Sequence, residues 1–275
     1  MELPIAPQTY QPSADTLVRA MQRVELLLAR TACEETQLDV ATALTHPQRP
    51  GVPFANFALD VRLPAGRTPA QVLDAIDALF TEAGVICHRL VPSERQWPSA
   101  LAAEAESRGY RRVDHTLLLL HGYRPPAQTN TALQVLPGRA VYPQLRAAYE
   151  ELARDAWHLD ERRASDTAAM LIDHLDDPRI DMFLGRLDRR IAGWVNVITL
   201  GQIGVIDKVQ TLPHAAGQDV AATLLGHAIE HCRRALFEQV IVQIQSDDEQ
   251  ALRLYEGLGF KPVTTITWYE RPTAS

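Results

Sequence analysis

"VQTLPHAAGQDVAATLL", Val209–Leu225, reads as a strand, a short turn and a helix. A β-branched run stops at Pro213, small residues follow, and an amphipathic helix begins. Such a junction turns several backbone N–H groups toward one point at a helix amino terminus. Unpaired donors and the helix dipole both favour an anion there, phosphate above all. Small residues such as Gly217, Ala221 and Ala222 allow close approach to the backbone. By itself the signal is weak, because many strand–loop–helix junctions bind nothing.

Thirty residues on, "DEQALRLYEGLGF", Asp248–Phe260, is a helix with Ala251, Leu254, Tyr255 and Leu258 on one side and Gly259 as its stop. A tyrosine can protonate a leaving group. It can equally well pack in a core, the commoner fate of a helical tyrosine. The stretch also has an echo. "AESRGYRRVDHT", Ala105–Thr116, stays in step with "YEGLGFKPVTTI", Tyr255–Ile266, and "RLPAG", Arg62–Gly66, echoes "TLPHAAG", Thr211–Gly217. The offsets, 150 and 149 residues, agree. An internal duplication with one eroded copy explains both.

Periodicity and turn residues fill in the rest. The first half predicts a helix over 14–31, a strand over 56–63, a helix over 69–84, a strand over 85–91, a helix over 97–109 and a strand over 113–120. A proline-rich linker, His121–Ala132, follows. The second half predicts a strand over 133–136, helices over 141–156 and 163–175, and a hairpin over 181–201 turning at Asp188–Arg190. A strand over 203–212, a helix over 218–236, a strand over 239–245, a helix over 247–258 and a strand over 263–270 complete it. On this reading the first half repeats only the last five elements of the second, after one helical stretch.

The 275 residues are 46% hydrophobic and 22% charged, an ordinary globular composition of one large or two small domains. A net charge of −7 and a pI near 5.7 give no basic footprint for nucleic acid. Cys33, Cys87 and Cys232 are far apart and form no CxxC pair, which fits a reducing cytoplasm. The amino terminus shows no leader pattern. No run approaches the roughly 20 apolar residues of a membrane span.

Taken together, the strand–proline–small loop–helix and the later "A..LYE.LGF" resemble the GNAT superfamily of acyl-CoA-dependent N-acetyltransferases. The likeness covers about residues 131–275, and "RRIAGWVNV" in the hairpin is similar to that family's second and third strands. The resemblance implies a mixed, mostly antiparallel α/β sheet flanked by helices in residues 127–275, preceded in residues 1–126 by a partial, degenerate and non-catalytic copy. It implies acetyl-CoA as co-substrate, with no metal, and a small-molecule or peptide amine as acceptor. Neither nucleic acid nor membrane is expected as partner, and a homodimer is allowed.

Residue by residue, the resemblance assigns Val209, Gln210 and Thr211 to the strand whose backbone pairs with the pantetheine arm. Ala216, Gly217, Gln218, Asp219, Val220 and Ala221 fall on the pyrophosphate loop, usually Q/R-x-x-G-x-G/A, with Ala222 beside it. Asp248 falls where an asparagine often binds the cofactor, and Tyr255 on the general acid. Two departures stand out. Ala216 replaces the usual Gln or Arg, and Asp219 replaces the first motif glycine, so cofactor binding is expected to be weakened or altered. Asp219 could instead cap the helix. In the first half, Ala105 stands where Tyr255 would be, and "AGRTP" with its Pro69 replaces the loop.

Asp207, on the strand lining the cleft, is the candidate base; a solvent-facing carboxylate is the equal alternative. Trp157, His158, Asp160 and Glu161, between the two helices, fall on the family's substrate loop, or form a plain charged loop. "HAIEH", His227–His231, matches the inverted zinc-peptidase pattern, but packed or solvated histidines are the expectation. Two functions are consistent with all this: an N-acetyltransferase, and a non-catalytic GNAT-like scaffold or weak acyl-CoA-binding module.

Overall fold

A computed structural model of the protein describes residues 12–272. The stretch before residue 12, part of the amino terminus read above for a leader, lies outside them. Seven helices are described: α1 (Ala14–Arg30), α2 (Pro69–Glu82), α3 (Ser99–Ser107), α4 (Tyr142–Asp155), α5 (Glu161–Asp173), α6 (Val220–Arg234) and α7 (Glu249–Gly257). The first-half strands are β1 (Glu34–Gln37), β2 (Thr42–Thr45), β3 (Phe57–Val61), β4 (Arg89–Pro92) and β5 (Arg111–Leu120). The second-half strands are β6 (Gln134–Pro137), β7 (Ile180–Leu187), β8 (Arg190–Leu200), β9 (Ile203–Thr211), β10 (Gln239–Gln245) and β11 (Phe260–Glu270).

All eleven strands form one sheet in the order β1-β2-β3-β4-β11-β5-β10-β9-β8-β7-β6. Only β3–β4 and β9–β10 run parallel. Alternation along the strands feeds two layers. Leu117 and Leu119 of β5 face a core shared with α1, α4 and α5, while Leu118 and Leu120 face one shared with α6. A third cluster joins α2 and α3 to β2, β3 and β4. The four-leucine run is thus a strand covered on both faces.

The order at the centre of the sheet is the unexpected part. The last strand of the first half, β5, lies against β10 of the second; the last strand of the second, β11, lies against β4 of the first. The two exchanged strands pair with each other from Phe260↔Leu120 to Glu270↔Arg111. The sequence echo marks these two strands: each follows a helix ended by a glycine in the left-handed region, Gly109 (φ 83°) and Gly259 (φ 100°).

The element order of the two halves also agrees over a longer stretch than the sequence suggested. The first half reads α-β-β-β-α-β-α-β, matching the last eight elements of the second rather than five. The added pair is the β1–β2 hairpin. All four residues of β1 are exposed, so no alternation announced it. The strand expected over 85–91 is shorter, pairing only over Arg89–Pro92. The turn of the β7–β8 hairpin is Asp188-Arg189, both left-handed (φ 44° and 69°), as a two-residue turn between twisted strands requires.

The linker is stitched down. Its amides at His121 and Arg124 donate to the carbonyls of Gly259 and Leu258, and the Asn130 side chain donates to the Gln218 carbonyl at 2.9 Å. Because each half completes the sheet of the other, a protease site inserted at the exposed Ala127–Gln128 should give a nicked protein whose fragments co-elute on gel filtration. They should separate only in denaturant. Separation in native buffer would show that the exchanged strands do not hold the halves together.

Candidate active site

The site begins where two parallel strands part. β9 and β10 pair only over Ile203–Ile206 and Gln239–Val242. Beyond that point β10 follows β5, with Gln243↔Leu117 and Gln245↔His115, while β9 follows β8. The edge of β9 from Asp207 to Thr211 is left facing a gap, its amides unladdered on that side. This is the stretch of Val209, Gln210 and Thr211. β8 approaches so closely here that a Cβ on Gly193 would lie 2.2 Å from the Gln210 carbonyl oxygen. Only glycine fits.

A β-bulge sits at the parting. Asn196 opposes Asp207 and Trp194 opposes Gln210, so Lys208 and Val209 together face Val195 alone. Lys208 takes the left-handed conformation, φ 49°. An extra residue re-aims side chains. Asp207, Lys208 and Gln210 accordingly all line one cavity of about 440 Å³. The other walls are aromatic and aliphatic: Tyr149 and Leu152 of α4, Met170 and Leu171 of α5, Trp194 of β8, and Trp157. The first half supplies Glu25, Leu28 and Ala29 of α1, with Phe54, Phe57 and Arg89.

Charge in the cavity is arranged in pairs. Arg89 bonds Glu25 and lies over the rings of Phe57 and Trp268, 4.4 and 4.5 Å from their centroids. The Lys208 ammonium is 3.9 Å from Asp207 Oδ2 and 3.4 Å from His174 Nδ1. Asp207 keeps 26% of its side-chain surface accessible, yet Oδ2 is buried and has no hydrogen-bond partner. Burial raises the Asp207 carboxyl above the usual range, against the pull of Lys208. Burial, then Lys208, holds His174 well below its usual range, so the ring is neutral. The Tyr149 hydroxyl and His174 Nε2 are buried without partners.

Tyr255 is buried on α7, edge-on to Phe260 at 5.4 Å between ring centres. Burial, and then the charges of Asp207 and Asp248, push its phenol well above the ordinary range, so it holds its proton. The Asp207 charge acts on Tyr149 as well, which puts the carboxylate in the field of both tyrosines.

On the other face lies the start of α6. Gly217 (φ 73°) and Asp219 (φ 54°) are both left-handed around Gln218. Asp219 occupies the N-cap position, but its exposed carboxylate does not cap the helix. The conformation is the one a glycine would take at that point of the loop. The amides of Val220, Ala221 and Ala222 open the helix without an intrahelical acceptor, since the first such bond is Thr223 N–H to the Asp219 carbonyl. The matching turn of the first half differs. Thr68 accepts from Gln71 N–H, Gln71 accepts from Thr68 N–H, and Pro69 has no N–H. That helix satisfies itself; α6 does not.

The remaining candidates are dispersed. Trp157 lines the cavity and is 41% exposed. His158 is exposed in the left-handed region, Asp160 caps α5 by accepting from Arg163 N–H at 2.9 Å, and Glu161 sits in the first turn of that helix. Asp248 caps α7 by accepting from Ala251 N–H at 2.9 Å. His231 Nε2 lies 3.2 Å from Asp181, and the Phe183 ring packs edge-on to both His227 and His231. Among the described residues no three His, Cys, Asp or Glu side chains are grouped to hold a metal. Among the described residues no helix is long and apolar enough to cross a membrane. Sequence reading missed Lys208, His174, Tyr149 and the first-half wall, none of which carries a motif.

Comparison with known proteins agrees with this geometry. Residues 142–260 match the family model described as Acetyltransferase (GNAT) family. No curated protein matches the chain. A solved protein of Staphylococcus epidermidis, described as functionally unknown, superposes with a TM-score of 0.61 at 14% identity, over 87% of this chain and 94% of that one. A GCN5-related N-acetyltransferase from Kribbella flavida gives 0.59 at 16%, over 94% and 97%. A tandem GNAT protein from the clavulanic acid biosynthesis pathway gives 0.50 at 15%, over 86% and 80%. Residues 142–260 thus match a GNAT acetyltransferase family model, and the likeness of fold to these solved structures extends through the first half.

The raised Asp207 carboxyl has a stability consequence. The folded state holds that proton more tightly than the unfolded chain, so stability falls as pH rises from the ordinary Asp value of 3.8 through the folded value. Asp207→Asn should therefore melt a few degrees higher than the parent at pH 8, at about 2–4 °C per kcal/mol for a chain of this size. The gap should close below about pH 4. Identical melting curves across that range would mean that Lys208 fully offsets the burial.

Proposed function

We propose that the protein is an acetyl-CoA-dependent N-acetyltransferase acting in the cytoplasm on a primary amine. The observation that carries this reading is the pairing of an uncapped α6 amino terminus with a parted β9–β10 edge that opens onto a cavity holding a buried carboxylate. The amides of Val220, Ala221 and Ala222, which have no intrahelical acceptor, suit a pyrophosphate, and the unladdered edge of Val209–Thr211 suits the amide-bearing pantetheine arm. The thioester supplies an activated acetyl carbonyl at the gap.

In this mechanism Asp207 takes the proton of the acceptor ammonium, which frees the nitrogen lone pair. The amine nitrogen forms a bond to the acetyl carbon as the carbon–sulfur bond breaks. A backbone N–H of Val209–Thr211 holds the developing oxyanion. Tyr255 donates its phenolic proton to the departing thiolate, its raised pKa keeps that proton available at neutral pH, and the second proton, shed by the nitrogen as the amide forms, restores the phenol. The first half, a partial copy over residues 1–126, shapes the acceptor cavity and performs no chemistry. Its self-capped α2 and the fully buried Ala105 at the tyrosine position both favour this. One observation favours the alternative of a non-catalytic module: the Asp219 carboxylate stands beside the anion site.

Acetyl-CoA should raise the melting temperature, by about 2.7 kcal/mol of stabilisation at a hundred times Kd. No shift at millimolar ligand would sink the proposal. Tyr255→Phe should keep that shift but lower kcat roughly 10²-fold or more; unchanged turnover would remove Tyr255 from the reaction. Asp219→Gly relieves a left-handed non-glycine residue, at about 1 kcal/mol, and removes a like charge. It should tighten acetyl-CoA by about tenfold, as read by isothermal titration.

A further inference from the structure

The bulge that opens the gap also turns two successive side chains, Asp207 and Lys208, into the same cavity. Along an ordinary strand they would face opposite sides. The cavity therefore presents a carboxylate and an ammonium side by side, each partly accessible (26% and 29%). At 3.9 Å they are too far apart to share a hydrogen bond. Asp207 Oδ2 keeps an unused acceptor.

Further donors accompany the lysine. An ammonium has only protons to give, so His174 Nδ1 accepts from Lys208 and the neutral ring carries its proton on Nε2. That N–H and the Tyr149 hydroxyl have no protein acceptor. Lys208 is one of only two lysines in the chain, with Lys261; elsewhere the basic residues are arginines. It is held in the left-handed backbone region, which is unfavourable for a non-glycine residue. Such strain persists where the surroundings impose it and is concentrated at functional sites.

We infer that the acceptor is a free α-amino acid with an aromatic or large aliphatic side chain, its ammonium on Asp207 and its carboxylate on Lys208. In such a molecule the nitrogen and the carboxylate oxygens are roughly 3 Å apart, fixed by the bonds of one α-carbon. They can meet both side chains of a pair at this spacing, each charge opposite its complement. Apart from Gln210, Gln245 and the paired Glu25 and Arg89, the other walls include Leu28, Phe54, Phe57, Trp157, Trp194 and Met170. They ask for an apolar body. The cavity, at about 440 Å³, is of the size that takes a small ligand of this kind. The substrate class rests on the acetyltransferase reading for its chemistry: one ammonium proton goes to Asp207, a carbon–nitrogen bond replaces carbon–sulfur, the thiol leaves with the Tyr255 proton, and the second proton lost by the nitrogen restores the phenol. The product is an N-acetyl amino acid.

Binding tests the class without turnover. Tryptophan, tryptamine and indole-3-propionate differ only in which of the two charges they carry. In isothermal titration tryptophan should bind at least tenfold more tightly than either of the others. Lys208→Met, with Lys208→Gln as a second variant, should shrink the tryptophan-to-tryptamine ratio toward one. Tryptamine binding as tightly as tryptophan would overturn the inference. So would failure of tryptophan, phenylalanine and leucine alike to bind. Amino-acid binding with no acetyl transfer would sink the enzyme reading alone. Transfer to tryptamine in preference to tryptophan would sink the substrate class alone.

Discussion

Everything at the active site follows from one break in hydrogen bonding: the parallel ladder between β9 and β10 stops at Ile206 and Val242. A parallel pair that continued would bury its edge and leave no gap. Two constraints hold it open. On one side the bulge at Lys208 commits β9 to β8, where Gly193 lets the backbones nearly touch. On the other, β5 captures β10 through Gln245. The gap is therefore a property of the sheet rather than of a flexible loop. The backbone it leaves unpaired is available to a ligand because nothing else in the fold can satisfy it.

The strand that captures β10 belongs to the first half. This ties the first half to the cavity. With β5 beside β10, the first-half face that carries Phe57 and Arg89 becomes continuous with the face that carries Asp207. The same exchange places β11, which follows directly from the α7 helix of Tyr255, against β4. Neither half could supply the cavity alone. One lacks the parted strands with a free helix start, and the other lacks half of the wall.

The second half was legible in the sequence because its signals are local. Proline and glycine punctuate it, and apolar periodicity separates its strands from its helices. Observed boundaries fall within about three residues of the expected ones through α4–β11. Asp207 and the α6 turn could be placed from neighbours in the chain. What could not be read depends on contacts between distant segments. A strand such as β5 has the same alternation whichever partner it takes, so the exchange left no trace. Lys208 follows a cavity residue by one position, and only a bulge, which has no signature in a run of β-branched residues, brings it to the same side. β1 is polar throughout and looked like a loop.

The two halves differ at corresponding helix starts. Both possess a helix that begins just after a Leu-Pro pair and a strand residue in the left-handed region, Asp60 in one and Lys208 in the other. They differ in what the helix start does with its donors. At α2 a capping box takes the Gln71 N–H and a proline removes another donor, which stabilises the helix by about 1 kcal/mol. At α6 the N-cap residue is turned into the left-handed region, where its own side chain makes no capping bond. The donors of α6 stay exposed at a cost in stability, and that cost is compensated only when something outside the chain accepts from them.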